Sequence, residues 1–178
     1  LGVIPFAICA RHAFIAETLL DSLFIKKIID KNFMRKFKLS LNTITTKFLH
    51  DTNKVRDKKM SKKNFMEIYG HLRPGTYDIK SKRYDEGNYI DFSNHNNVKK
   101  ENFKIPDKIY KKINNLLNRN YFENLDSKQL FNYISEAITA REYSKFVFTK
   151  SVSHILRIIS IILKERNLTL DDISNLDI

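Results

Sequence analysis

Residues that break regular backbone are concentrated in one segment of this chain. Residues 69–79 read YGHLRPGTYDI and hold two of the four glycines and one of the three prolines in the whole sequence. Arg83, Tyr84, Asp85 and Glu86 follow shortly afterwards. Glycine and proline set the backbone of turns, and here they lie among Arg, His, Tyr and Asp side chains. The segment therefore predicts a polar loop that carries a site.

Apolar residues before this loop recur at helical spacing. Pro5 suits the first turn of a helix, and the apolar residues after it predict a first helix over about Pro5 to Lys27. A second helical pattern starts at Phe33 and continues toward Val55. Ser61 is a typical N-cap, so we expect a shorter helix that Gly70 ends in the left-handed conformation.

The helical periodicity disappears from His71 to about Pro106. A connection of this length is generally functional or disordered, so we expect order near the motif and mobility around Asn94 to Lys100. Helical spacing returns at Asp107 and again from Leu130 toward Arg166, and Thr169 can cap a last short helix. No strand-like alternation is evident. The sequence predicts an all-α, irregular helical bundle with one long loop, ordered in part and mobile in part.

Length and cysteine content suggest a single intracellular unit. The 178 residues predict one helical domain over residues 1–178. The sequence opens on Leu1 without the positive leader of a signal peptide, so we expect a fragment of a longer multidomain protein. The longest apolar run, from Ile158 to Leu163, is far shorter than the ~20 residues of a membrane span, so we expect no membrane insertion. The single cysteine, Cys9, fits a reducing compartment, and we expect the cytoplasm.

The formal net charge of +12 raises the question of nucleic acid. The excess is mainly lysine scattered through a chain rich in Asn and Ile, a pattern that biased genomic composition also produces. We therefore do not favour a nucleic-acid partner. Two alternatives stay open beside an anion-binding site: a basic helical module that binds nucleic acid or an acidic protein, and a spacer that only positions its neighbours.

Two cations interrupt an apolar stripe on the late helix. Arg141 and Lys145 fall on the same face as eight apolar residues, which are Ile134, Ala137, Ile138, Phe148, Val152, Ile155, Leu156 and Ile159. An unpaired buried charge costs several kcal/mol, so both need an anionic partner, or contact with water. In the structural alternative they pair with Asp78, Asp85 or Glu86. In the functional alternative they face a cleft and bind a phosphate or carboxylate.

Similar candidates lie on the first helix and in the loop. Arg11 flanks an apolar stripe and is an anion-ligand candidate, whereas His12 next to it is better explained as a hydrogen-bonded helix histidine. In the loop, Gly75 permits a tight turn that would present Arg73, Thr76 and Tyr77 toward one centre. The local alternative is a structural turn in which Asp78 caps or pairs nearby.

Three stretches together resemble one family. Residues 69–79 are similar to a YGHRGPGE turn in the central helical region of phosphoenolpyruvate synthase and pyruvate, phosphate dikinase-like proteins, including the rifampicin phosphotransferase branch. Residues 5–16 (PFA, then ARHAFIA) and 140–150 (AREYSKFVFTK) agree with the same group. These proteins normally also carry an ATP-grasp domain and a swivelling phosphohistidine domain, and this chain has neither.

The resemblance implies part of an ATP-dependent phosphotransferase, of the kinase or dikinase kind, that is not catalytically complete alone. The flanking ATP-grasp and phosphohistidine domains would be its partners, and ATP and Mg²⁺ would bind there and not to this chain. A small anionic acceptor such as pyruvate or phosphoenolpyruvate would bind on this side. The matching stretches single out Arg11, Arg141 and Lys145, with Glu142 able to orient a neighbouring cation. His71 is a supporting residue and not the phosphocarrier, which belongs to the swivelling domain.

Motifs for independent chemistry are missing from the sequence. It has no Walker-type Gly-Lys-Ser/Thr loop, no GxGxxG, no HExxH and no Cys/His cluster with metal spacing. We therefore expect no metal site, and neither ATP hydrolysis nor phosphorylation by ATP in the isolated chain.

Overall fold

Helices are the only regular secondary structure in the part of the chain that the structure describes. The computed structural model describes residues 2–93, 103–122 and 124–174, and within them it has seven helices and no strands. The all-α prediction is confirmed. The expected mobility of Asn94 to Lys100 lies outside the described residues. The helices are α1 (Val3–Ile25), α2 (Lys31–Ser40), α3 (Ile44–Arg56), α4 (Lys62–Tyr69), α5 (Asp107–Arg119), α6 (Ser127–Glu165) and α7 (Leu170–Ser174).

Capping side chains explain several of these boundaries. The Ser61 hydroxyl accepts the N–H of Asn64 at 3.1 Å, so α4 begins where the serine predicted. At α7, the Thr169 hydroxyl accepts the N–H of Asp172 at 3.2 Å, and Asp172 in return accepts the N–H of Thr169 at 2.8 Å. This reciprocal arrangement satisfies two N–H groups that the helix leaves free.

The helical pattern that starts at Phe33 is divided between two helices. Asp30 caps α2 by accepting the N–H of Phe33 at 2.6 Å, and the helix ends at Ser40. The Thr43 hydroxyl accepts the N–H of Thr46 at 3.3 Å and so caps α3. Threonine side chains compete with helical hydrogen bonds in this way, which is why the chain breaks although its apolar spacing continues.

The chain divides into two compact units. The first comprises Leu1–Lys47 and Val98–Ser144, and the second comprises Phe48–Asn97 and Lys145–Ile178. The single-domain expectation stays a prediction. Aromatic rings from α2 and α6 pack in the core of the first unit, where the ring centroids of Phe37 and Phe131 are 5.3 Å apart. In the second unit Phe65 and Tyr69 of α4 are fully buried, and their ring centroids are 4.7 Å apart.

Two helices leave much apolar surface outside these cores. By length and composition, α1 and a stretch of α6 are apolar enough to cross a membrane, and only 17% of each stretch is buried. Ile155, which the predicted apolar stripe of α6 includes, is 55% exposed. Length and composition alone do not distinguish a membrane span from other apolar helices. The expectations of no membrane insertion and of a cytoplasmic location therefore stay predictions.

Candidate functional site

The two motif stretches of the loop pack directly against each other in the second unit. The backbone N–H of Tyr84 donates to the carbonyl of Leu72 at 2.8 Å, and the N–H of Asp85 donates to the carbonyl of Gly70 at 3.2 Å. Residues 70–72 and 84–85 therefore form one paired structure. Much of the predicted polar loop is ordered by its own backbone hydrogen bonds.

Gly70 is required by close approach and not by a left-handed backbone. Its φ is −58° and its ψ is −27°, so the expectation that it ends α4 in the left-handed conformation is wrong. A Cβ atom at this position would lie 2.3 Å from the Met66 carbonyl oxygen and 2.9 Å from Cβ of Asp85. The Met66 carbonyl and the paired Asp85 both lie so close that only a residue without a side chain fits.

Arg73 fastens the loop to α6. Its side chain is nearly buried, with 9% exposure. Its Nε donates to the Ser153 hydroxyl at 3.1 Å, and its terminal nitrogens donate to the carbonyls of Ser153 at 3.3 Å and Ser81 at 2.6 Å. Burial lowers the pKa of Arg73, but a guanidinium keeps its charge at neutral pH. All three nitrogens thus serve structure, and anion binding by Arg73 stays a prediction.

Ser153 holds the loop in place by accepting hydrogen bonds from Arg73, and the sequence did not predict this role. It is 2% exposed, and Thr149 one turn earlier is 6% exposed, although both are polar. The second half of α6 thus buries small hydroxyl residues while Ile155 is exposed. Their spacing of four residues on an apolar helix is the signal that could have revealed a buried polar partner.

The tip of the loop is a locally bonded turn. The N–H of Gly75 donates to the Ser81 hydroxyl at 3.0 Å, and the N–H of Asp78 donates to the Gly75 carbonyl at 3.1 Å. The Asp78 carboxylate accepts the N–H of Lys80 at 2.9 Å, which is the local capping alternative. The Tyr77 side chain is 61% exposed. Tyr77 is therefore the predicted site residue of the tip that is open to a ligand.

His71 is a buried imidazole whose ring nitrogens make no hydrogen bond of good geometry within the described residues. It is 5% exposed, and neither ring nitrogen reaches hydrogen-bonding geometry with a described group. Its ring centroid lies 4.7 Å from that of Phe146. Burial lowers the pKa of His71, and the nearby cations Lys150 and Arg83 lower it further, against the opposing carbonyls of Phe146 and Ile68. The imidazole is therefore neutral at pH 7 and inaccessible to a phosphoryl donor.

Carboxylates after the loop are engaged by arginines of the same unit. Arg83 donates to both oxygens of Asp85, at 2.8 and 2.5 Å, in the bidentate geometry that suits a guanidinium. The Glu86 carboxylate lies 3.4 Å from Nε of Arg157.

Lys145 is exposed and has no ion pair within the described part of this unit. Lys145 thus has contact with water, as an unpaired cation requires.

Arg141, in the first unit, lies over an aromatic ring and lacks a full set of hydrogen bonds. Its guanidinium carbon is 5.7 Å from the centroid of Phe14 on α1. The residue is half-buried, and its Nε is inaccessible to water and has no hydrogen-bond partner among the described residues. Arg11 lies on the same helix as Phe14 and is exposed. Arg141 therefore has a buried donor that none of these neighbours satisfies.

Glu142 caps a helix through one of its carboxylate oxygens. One carboxylate oxygen accepts both the N–H of Thr45 at 3.1 Å and the Thr45 hydroxyl at 3.0 Å. Thr45 lies in the first turn of α3, where free N–H groups and the helix dipole favour a negative charge. Glu142 makes no ion pair with a cation among the described residues of this unit, so its role in orienting one stays a prediction.

His12 is a hydrogen-bonded helix histidine, as expected, because its Nδ1 and the Tyr133 hydroxyl share a 3.0 Å hydrogen bond.

The predicted anion ligands divide between the two units. Arg11 and Arg141 belong to the first, and Arg73 and Lys145 belong to the second. Their convergence on one centre stays a prediction. Within the described residues no three His, Cys, Asp or Glu side chains are grouped to hold a metal ion.

Comparison with protein-family models, curated proteins and solved structures finds no match, so the family resemblance depends on the quoted residues alone.

Proposed function

We propose that this chain is the central, acceptor-side part of an ATP-dependent phosphotransferase of the phosphoenolpyruvate synthase or pyruvate, phosphate dikinase type. Its task is to hold an anionic acceptor, such as pyruvate or phosphoenolpyruvate, while a phosphohistidine of another domain delivers the phosphoryl group. The observation that carries the proposal is the half-buried Arg141 with its unpartnered Nε.

The environment of Arg141 favours an anion over a neutral ligand. The Phe14 ring attracts the guanidinium through its π face, but it accepts no full hydrogen bond. A buried N–H without a partner costs about 1 to 3 kcal/mol, and a carboxylate or phosphate oxygen that reaches Nε as the neighbouring side chains shift would recover that cost. A guanidinium also matches two oxygens of such a group at once, which fixes the orientation of the acceptor.

The chain contributes electrostatic stabilisation to the transfer and no covalent chemistry. Phosphoryl transfer depends mainly on positioning and on stabilising the charge of the transferring group. Arg141 supplies a preorganised positive charge for this purpose, and the exposed Arg11 of the same unit adds to the field that attracts the anion. ATP and Mg²⁺ belong to the flanking domains of the complete enzyme.

The direct test measures anion binding by the chain and by its Arg141→Lys variant. Phosphoenolpyruvate is titrated by calorimetry, with inorganic phosphate as a second probe. Lysine keeps the charge but cannot donate two parallel hydrogen bonds to the anion as a guanidinium does. Binding of phosphoenolpyruvate therefore weakens by about 1.5 to 3 kcal/mol, which is roughly tenfold to hundredfold in the dissociation constant. Arg35→Lys, at an exposed position of the same unit, is the matched control and leaves binding unchanged.

A second measurement separates substrate binding from folding. In the multidomain enzyme, Arg141→Lys slows phosphate delivery to the acceptor and leaves the labelling of the phosphohistidine by ATP unchanged, because ATP acts at another site. If the variant unfolds the helices without a selective loss of delivery, Arg141 is a structural residue and the proposal is wrong. The same conclusion follows if Arg141→Lys and Arg35→Lys bind phosphoenolpyruvate equally well.

A further inference from the structure

The first unit contains an apolar cavity that the proposed function does not use. Its volume is about 420 Å³, and its walls come from α1, α5, the start of α6 and the turn after α5. Leu19, Ile113, Leu117 and Leu130 are among the side chains that line it. Ile15 also lines the cavity and is 45% exposed, so the cavity opens to solvent beside α1.

The size and lining of this cavity are those of a ligand site. Ligand pockets in proteins are about 300 to 1,000 Å³ and mostly apolar, and a dry cavity of about 150 Å³ is enough to bind benzene. An unfilled cavity also costs stability, because its walls lose van der Waals contacts. Apolar walls of this extent exclude sugars and nucleotides, whose polar groups would remain unpaired.

Three of the polar side chains in the lining already have partners. The Ser22 hydroxyl donates to the Thr18 carbonyl at 2.8 Å, and the Asn120 amide donates to the Leu116 carbonyl at 2.7 Å. The Tyr133 hydroxyl shares its hydrogen bond with His12. These groups therefore do not call for a polar ligand.

Lys26 is the charged residue of the lining. It is exposed, and it has no ion pair among the residues that the structure describes. A lysine at the opening of an apolar cavity complements a ligand with an apolar body and one negative charge at its end. Lysine acts as a point charge, so either a carboxylate or a sulfonate would serve.

We propose that this cavity binds an amphipathic monoanion. Its apolar body, such as a medium-length acyl chain, fills the space between α1, α5 and α6, and its anionic group lies beside Lys26. The inference does not rest on the proposed phosphotransferase function, because it involves neither Arg141 nor the loop. It assigns the chain a second ligand of different chemistry from a small phosphorylated acid.

The test uses laurate as the probe, with dodecanol as its uncharged counterpart and acetate as its short one. Calorimetry and ligand-observed NMR on the whole chain should show saturable, one-to-one binding of laurate and no binding of acetate. Lys26→Met weakens laurate binding about 1.5-fold to fivefold, the range of an exposed ion pair, and leaves dodecanol unchanged. Lys112→Met, an exposed lysine on α5 outside the lining, is the matched control and changes neither.

A cavity-filling variant tests the location. Ile15→Trp places a larger side chain at the opening, where partial exposure makes the change tolerable, and it should weaken laurate and dodecanol alike by at least about tenfold. Circular dichroism confirms that the helices are kept. Uptake of several laurate molecules per chain, or equal binding by Ile15→Trp, would mean that laurate coats exposed apolar faces, and the inference fails. It fails likewise if Lys26→Met and Lys112→Met have the same effect, since the charge would then act non-specifically.

Discussion

The Tyr69→Phe variant isolates a buried charge-assisted hydrogen bond in the second unit. The Tyr69 hydroxyl donates to Asp51 at 2.9 Å, and both side chains are buried, with exposures of 0% and 2%. Lys54 donates to the other carboxylate oxygen at 2.9 Å. Burial raises the pKa of Asp51, but the hydrogen bonds from Lys54 and Tyr69 outweigh burial, so the pKa lies below its ordinary value. The carboxylate is therefore ionised at neutral pH.

The substitution removes one oxygen atom and leaves the ring packing in place. A hydrogen bond to a charged group contributes about 1.5 to 3 kcal/mol, and here the abandoned oxygen of Asp51 is shielded from water. We expect a loss of about 2 kcal/mol in the free energy of unfolding. In an Asp51→Asn background the acceptor is neutral, and the same substitution should cost about 1 kcal/mol, which gives a coupling of about 1 kcal/mol.

Urea unfolding followed by far-UV circular dichroism measures the change, with tyrosine fluorescence as a second probe because the chain has no tryptophan. The folded pKa of Asp51 is below the unfolded value of 3.8, so its contribution is present above pH 3.8 and is lost as the pH falls through the folded pKa. The difference between wild type and variant should shrink over that window. Tyr89→Phe, at an exposed tyrosine, is the control. A loss below about 0.5 kcal/mol, or one that does not vary with pH, would refute the reasoning.

Two further predictions concern the loop. Arg73→Lys cannot reproduce three bonds from a planar fork, so it should destabilise the second unit by about 3 kcal/mol and speed amide exchange in residues 71–86, whereas Lys82→Met at an exposed position should not. The folded pKa of His71 lies below the unfolded 6.5, so its contribution is present above pH 6.5 and is lost as the pH falls through that value toward the folded pKa. His71→Leu should therefore remove part of the drop in melting temperature between pH 7 and pH 5, and an unchanged drop would show that His71 is not protonated on unfolding.

The local features of the fold could be predicted from the sequence because their causes are local. Apolar spacing placed α1 within two residues of its observed ends, and Ser61 marked the start of α4. The division of the second pattern at Thr43 was missed because capping competes with periodicity over only a few residues. The sequence predicts a left-handed helix end at Gly70, whereas the structure shows close approach by the Met66 carbonyl and by Asp85, 15 positions along the chain.

The candidate site was harder to predict because its partners are distant in sequence. Arg73 was recognised as a cation in a polar loop, but its engagement depends on Ser153, which is 80 positions away. The capping contact of Glu142 was not predicted, because it joins the residue to a helix start 97 positions earlier. Periodicity shows which residues share a face of one helix, and it does not show which other segment that face meets.

The division of the chain into two interleaved units has a consequence for synthesis on the ribosome. Each unit combines two stretches separated by about 50 residues of the other, so neither can be completed in order from the N-terminus. Phe37 cannot contact Phe131 until the later residue has been synthesised. At a synthesis rate of about 5 to 20 residues per second, that delay lasts from several seconds to about 20 seconds. During this time α1 and α2 present apolar residues without their partners. Folding of the first unit therefore depends on residues that are made late, and a stop codon that removes residues 145–178 would leave the loop without the serine that anchors it.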